Sequence, residues 1–228
     1  MTNYNTFNDS VRIDVQGVSL VGDLAIPEGA FGLIIFSHGS GSSRLSPRNR
    51  FVAEHLQRSG FATLLFDLLT EEEDQDTRNR FDIPKLTQRL IDTTYWVQKD
   101  PRTQDLNIGF FGASTGAASA IGAAAGEGPD IIKAVVSRGG RPDLADTVLP
   151  DLMVPTLLIV GGKDESVLEM NMQAQNQMRC IKDLELVPDA THLFEEPGAL
   201  EMAAQLATDW FRKYLKPDKQ QPLHQNRP

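Results

Sequence analysis

The sequence predicts an α/β architecture: a mainly parallel sheet with helices on both faces, preceded by an antiparallel hairpin. Three observations predict it. Short continuous apolar runs recur along the 228-residue chain, as expected of strands buried on both faces. Between them lie longer segments with apolar residues at helical spacing. Strand-like runs alternating with helix-like segments in this way form βαβ units.

The hairpin comes first. Val11–Val15 alternates apolar and polar, Gln16-Gly17 turns, Val18–Ile26 continues, and Pro27-Glu28-Gly29 ends the run. Leu33–Phe36 is the first buried strand, and its end, Ser37–Ser46, is rich in glycine and serine. A helix starts near Pro47, where proline suits a first turn, and carries Phe51, Val52, His55 and Leu56 on one face. Gly60 ends it. Phe61–Phe66 is the next strand, followed by a polar, acidic loop at Asp67–Asp82. Pro84–Lys99 reads as a helix with Leu86, Leu90, Ile91, Thr94 and Val97 along one side. Leu106–Phe111 is a strand and Ser114–Ala125 an alanine-rich helix. Strands follow at Ile131–Val136 and Pro155–Val160, then a helix near Val167–Met178 and a last strand at Leu184–Val187. The closing helix, Gly198–Leu215, places Leu200, Ala203, Leu206, Ala207 and Phe211 on its apolar side. Neither a repeat nor a linker interrupts the body, so residues 1–215 read as one domain and the polar residues 216–228 as a flexible tail.

Composition narrows the function classes. A net charge of −9 and a pI near 4.9 repel phosphate backbones and anionic membranes, so neither nucleic acid nor a membrane is an expected partner. The one cysteine, Cys180, has no partner for an internal disulfide, and no Cys/His cluster suggests a metal. Met1–Ser10 lacks the basic-then-apolar pattern of a signal peptide. No apolar run reaches the roughly 18 residues that a membrane span needs. A reducing, cytoplasmic location is the expectation.

The chemistry centres on Gly112-Ala113-Ser114-Thr115-Gly116, which follows the strand at 106–111 and opens a helix. On such a sharp strand-to-helix turn the serine oxygen stands above the sheet, and small residues two before and two after let strand and helix approach. A serine needs a base, and the base an orienting carboxylate. With this turn the chain order is serine, acid, histidine. Of the two histidines after Ser114, His224 lies in the polar tail and His192 follows the last strand. His192 is therefore the expected base. Asp164, in the loop after the strand at 155–160, is the first choice of acid; neighbouring Glu165 and the earlier Asp143 stay open as alternatives that could instead cap helices. An oxyanion hole needs two backbone N–H donors. Thr115 supplies one, and the loop His38-Gly39-Ser40-Gly41-Ser42 the other, with Ser40 best placed. His38 reads as a residue that fixes this loop. Arg44, Arg138 and Arg141 lie near the same edge and could grip a substrate carboxylate or phosphate. Ion pairing with the acidic loop is the competing, slightly preferred use.

These motifs, with Gly-Gly-Lys-Asp at 161–164 and Ala-Thr-His at 190–192, resemble α/β-hydrolases of the dienelactone hydrolase-like group. The likeness runs from the hairpin to the last helix. It implies the α/β-hydrolase fold, a triad of Ser114, Asp164 and His192, oxyanion amides at Ser40 and Thr115, and no cofactor. One departure stands out: true dienelactone hydrolases use a cysteine nucleophile, whereas here position 114 is serine. A small carboxylic ester or thioester is therefore at least as good an expected substrate as a lactone. No cap domain is inserted, and 67–82 is the one long segment available as a lid. The expected reaction is hydrolysis through an acyl-enzyme. An acyltransferase or perhydrolase would use the same intermediate, and a silent, ligand-binding scaffold is the alternative from another class.

Overall fold

The structure is a computed structural model and describes residues 6–216. The hairpin forms as expected from β1 (Thr6–Val15) and β2 (Val18–Pro27), with Val15 opposite Val18. Gln16 and Gly17 take positive φ values of 46° and 77°, the left-handed backbone that a tight two-residue hairpin turn requires. The remaining strands are β3 (Gly32–Ser37), β4 (Ala62–Phe66), β5 (Asn107–Ala113), β6 (Ile132–Arg138), β7 (Thr156–Gly161) and β8 (Lys182–Val187). They form an eight-stranded sheet in the order β1-β2-β4-β3-β5-β6-β7-β8. β2 joins β4 antiparallel, and every pairing from β4 to β8 is parallel.

This order contains a change of direction. From β3 the chain steps outward to β4, crosses back to β5, and then proceeds steadily to β8. The loops after β3 and β5 therefore diverge at their carboxyl ends and leave a crevice, the usual ligand position of an open parallel sheet. The glycine-rich loop at 37–46 and Ser114 both leave the sheet there.

Helices cover both faces. α1 (Pro47–Arg58) begins at Ser46, whose Oγ accepts from the Asn49 N–H, and packs beside the C-terminal helix at Ala199–Tyr214. Val52, Leu56, Phe61 and Phe211 are fully enclosed between these helices and the sheet, and each such burial stabilises the fold by about 1.5–3 kcal/mol. The other face carries α3 (Ile83–Lys99), α4 (Thr115–Glu127) and α5 (Glu165–Gln177), numbered after a one-turn α2 (Glu71–Asp74). Leu86, Leu90 and Val97 of α3 pack there with Ile121 of α4. The C-terminal helix is α6.

Three differences from the sequence reading matter. Segment 67–82 is not an open loop. Its Thr70 and Glu73 form a reciprocal capping box that starts α2, and a 3-10 turn follows at Thr77–Phe81. A 3-10 stretch at Pro142–Asp151 fills the connection from β6 to β7, where no element was expected. Finally, β6 runs to Arg138, beyond the expected end at Val136, so Arg138 belongs to the sheet rather than to a loop. The polar tail lies, from residue 217 on, outside the described residues. Among the described residues no helix is long and apolar enough to cross a membrane.

Candidate active site

Ser114 sits between β5 and α4 with φ 52° and ψ −123°. A non-glycine residue held there costs on the order of 1–3 kcal/mol and persists only if its surroundings dictate it. They do so through the backbone. The Ser114 N–H donates to the Arg138 carbonyl at 3.2 Å, and the Ser114 carbonyl accepts from the N–H groups of Ala117 and Arg141, each at 3.1 Å. The flanking glycines are sterically required. A Cβ at Gly112 would stand 2.5 Å from Ala117 Cα, and one at Gly116 would stand 2.2 Å from the Ser37 carbonyl oxygen.

His192 reaches Ser114 from the loop between β8 and α6. That loop is anchored twice. The Lys163 N–H donates to the Ala190 carbonyl at 2.9 Å, and the Thr191 hydroxyl donates to Glu196 Oε1 at 2.6 Å. The ring then lies with Nε2 3.4 Å from Ser114 Oγ and Nδ1 2.7 Å from Asp164 Oδ2. An Nδ1–H bonded to the carboxylate leaves Nε2 unprotonated and facing the serine hydroxyl, the arrangement that lets an imidazole take a proton. The structure brings Ser114, Asp164 and His192 together in the anticipated order. It removes both alternative acids. Glu165 opens α5 exposed to solvent, and Asp143 pairs with Arg141 at 2.8 and 2.7 Å.

The loop after β3 lies directly against the serine turn: a Cβ added to Gly39 would be 3.1 Å from Ser114 Cβ. His38 fixes this loop, as anticipated. Its Nδ1–H donates to the Gly39 carbonyl at 3.0 Å, and its Nε2 accepts from the Leu68 N–H at 3.1 Å. Burial holds its pKa below the ordinary histidine value, against the opposing pull of the Gly39 carbonyl and of Asp67 and Asp74. Ser40 differs from expectation. Its N–H donates to Thr115 Oγ1 at 2.7 Å, so this amide is already engaged, and a substrate oxygen has to compete with a threonine hydroxyl for it. The Thr115 N–H opens α4, where first-turn amides have no intrahelical acceptor. Nothing in the sequence marked the Thr115 side chain for this role, because the contact spans 75 residues.

The three arginines separate. Arg44 makes the ion pair with the acidic segment that was the slightly preferred use, and not a substrate contact. It bonds Asp67 through both backbone and side chain, at 2.8 and 2.5 Å, and lies 3.5 Å from Asp23. Arg141 is also engaged in an ion pair, but with Asp143 two residues away and not with the acidic segment. Arg138 lines a cavity of about 300 Å³ together with Ser114 and His192. Two further lining residues, Arg48 and Asn49 of α1, escaped the sequence reading. They look like the solvated start of a helix, and only the packing of α1 turns them toward the crevice.

A sequence model of the dienelactone hydrolase family matches residues 21–216. This chain belongs to the dienelactone hydrolase family. A dienelactone hydrolase from Anabaena variabilis is 54% identical and has a TM-score of 0.90, covering 93% of this chain and 100% of its own. Est1E from Butyrivibrio proteoclasticus shares the fold at a TM-score of 0.77 and 20% identity, covering 90% of this chain and 98% of its own. A Mycobacterium tuberculosis protein named "Putative phosphoribosyl transferase" is 53% identical over 208 residues, which are 91% of this chain and 47% of that protein. The chain thus spans about half the length of the curated relatives it matches most extensively. Within the dienelactone hydrolase family, this member carries serine at 114 and keeps its single cysteine, Cys180, buried and free.

Proposed function

We propose that this protein is a serine hydrolase that cleaves small carboxylic esters, thioesters or lactones through an acyl-enzyme on Ser114. One observation carries the reading: a serine hydroxyl on a strained strand-to-helix turn faces a histidine whose other nitrogen is held by a carboxylate. Family membership supports the hydrolase class. In this reading Ser114 Oγ attacks the substrate carbonyl while His192 Nε2 takes its proton, and Asp164 orients the ring and stabilises its positive charge. The Thr115 N–H, with the Ser40 N–H once released from the Thr115 hydroxyl, holds the oxyanion. His192 then protonates the leaving group, and water, deprotonated by the same ring, releases the acid. The substrate is a small molecule, and the compartment is a reducing, cytoplasmic one, consistent with the unpaired Cys180. The transferase name of the Mycobacterium relative belongs to a chain about twice as long, and the reading for this chain rests on its own serine site.

A fluorophosphonate probe should label the folded wild-type protein at Ser114 and fail on Ser114→Ala. The same substitution should lower kcat on whichever ester of a broad panel is turned over by on the order of 10⁶-fold. A folded protein that resists the probe and turns over no ester faster than Ser114→Ala would sink the proposal.

A further inference from the structure

Ser114 and His192 rest on the same short segment, Arg138-Gly139-Gly140-Arg141, which leaves the end of β6. Ser114 is bonded to it on both sides: its N–H donates to the Arg138 carbonyl at 3.2 Å, and its carbonyl accepts from the Arg141 N–H at 3.1 Å. His192 packs on the middle of the segment. A Cβ added to Gly139 would stand 3.3 Å from the His192 carbonyl oxygen and 3.6 Å from its Cε1. The Arg138 side chain, 7% exposed, touches the same loop, with its guanidinium carbon 5.7 Å from the Phe194 ring centroid. Paired glycines give this segment no stiffness of its own, so its place depends on what holds it. One anchor is the sheet, through the Gly139 N–H and the Ile159 carbonyl at 2.8 Å.

The other anchor is Asn171. It lies on α5 and is fully buried. Its Nδ2 donates to the Gly140 carbonyl at 2.9 Å and to the Val167 carbonyl, one turn back in its own helix, at 2.8 Å. Only the nitrogen end of the amide can face two carbonyl oxygens, which fixes its orientation. Its Oδ1 is left buried without a partner, an arrangement that costs stability. The helix does not need this amide, because carbonyls inside a helix are met by backbone N–H groups. What the asparagine adds is the grip on Gly140. The same helix carries the acid: Asp164 is the N-cap of α5, and its carbonyl accepts from the Leu168 N–H at 2.8 Å. One buried side chain thus ties the helix that starts at the acid to the segment that holds the serine and backs the histidine.

We infer that Asn171 is a positioning residue for the triad, fixing Gly140 and through it the place of Ser114 Oγ relative to His192 Nε2. That separation is 3.4 Å, at the long end of a hydrogen bond, so a small displacement of the segment breaks it. The inference rests on the serine hydrolase reading and adds a residue to it. Asn171 is not among the residues lining the cavity at Ser114, and it takes no part in proton transfer.

The test uses three variants on one helix. Asn171→Ser keeps a hydroxyl that can bond one turn back in the helix but is too short to reach Gly140. Asn171→Leu removes both bonds at similar volume. Ala174→Gly, also buried on α5, weakens the helix without touching the segment. Each is assayed well below its Tm, by the second-order rate of fluorophosphonate labelling at Ser114 and by kcat and KM on an ester that the wild type turns over. Both Asn171 variants should label roughly 10–100-fold more slowly and lose kcat by a similar factor with KM little changed, the cost of a misplacement of about 1 Å. Ala174→Gly should lower Tm and label at the wild-type rate. Folded Asn171 variants, either of them, that label at the wild-type rate would overturn the inference alone. So would an equal loss in Ala174→Gly, since any loosening of α5 would then suffice. Failure of the wild-type protein to label would overturn the hydrolase reading and this inference together.

Discussion

Two arginines are buried to nearly the same degree in opposite circumstances. Arg89, on α3, is 4% exposed and its Nη2 donates to Glu73 Oε1 at 2.8 Å. Glu73 is itself held by Lys85 at 2.8 Å and by the capping box at Thr70, and bonds to Lys85, Thr70 and Arg89 outweigh desolvation and lower its pKa. Around this cluster Arg80 pairs with Asp74, and Arg44 with Asp67. Asp67, Glu73 and Asp74 are thus paired with opposite charges that tie 67–82 together and to the body. Arg138, across the crevice, has an aromatic ring and another arginine. The difference separates a charge paired within the fold from one that meets no carboxylate among the described residues, and burial alone does not make that distinction.

Removing the acid from the paired region gives the largest effect on stability. Glu73→Gln deprives Arg89 of its ion pair and should destabilise the fold by about 1–3 kcal/mol, seen as a lower Tm, while labelling of Ser114 by fluorophosphonate stays as in the wild type. An unchanged Tm would break the comparison. Arg138→Met should act in the opposite direction. Replacing a buried, unpaired charge by an apolar side chain of similar length should stabilise the protein by about 1 kcal/mol, measured by the same thermal melts. A destabilisation exceeding that of Glu73→Gln would mark Arg138 as a structural residue.

His38 sharpens the border between the two regions, because it joins the oxyanion loop to Leu68 at the start of the acidic segment. Its folded pKa lies below the ordinary value of 6.5, so the unfolded chain binds a proton there more readily than the folded one. Stability from this group is present above pH 6.5 and is lost as the pH falls from there through the folded pKa. The slope from one such group cannot exceed about 1.4 kcal/mol per pH unit. Melts between pH 8 and pH 5 should therefore fall more steeply for the wild type than for His38→Gln. Parallel curves would show that His38 bears no part of the acid sensitivity.

Much of the site was legible before the fold was seen. Gly112, Ser114 and Gly116 form a local signal, since a strand must turn sharply into a helix and only small flanking residues permit it. His192 and Asp164 followed from chain order, because a parallel sheet returns each strand's carboxyl end to the same edge. Arg48 and Asn49 were not legible: α1 presents them to the crevice only through packing on the sheet. The capping box in 67–82 was hidden by the acidic composition around it.

The sequence by itself determined the alternation of strand and helix, the hairpin, the serine turn and the residues that meet it, because these depend on periodicity, on glycine sterics and on the order of elements along one edge. Tertiary structure alone decided which charges cancel. Arg44, Arg138 and Arg141 read alike in one dimension. In three, Asp67 and Asp143 lie within reach of the first and last, while the end of β6 carries the Arg138 side chain into a buried space lined by no carboxylate among the described residues. The strength of an ion pair depends on distance and desolvation, and neither is written in the order of the residues.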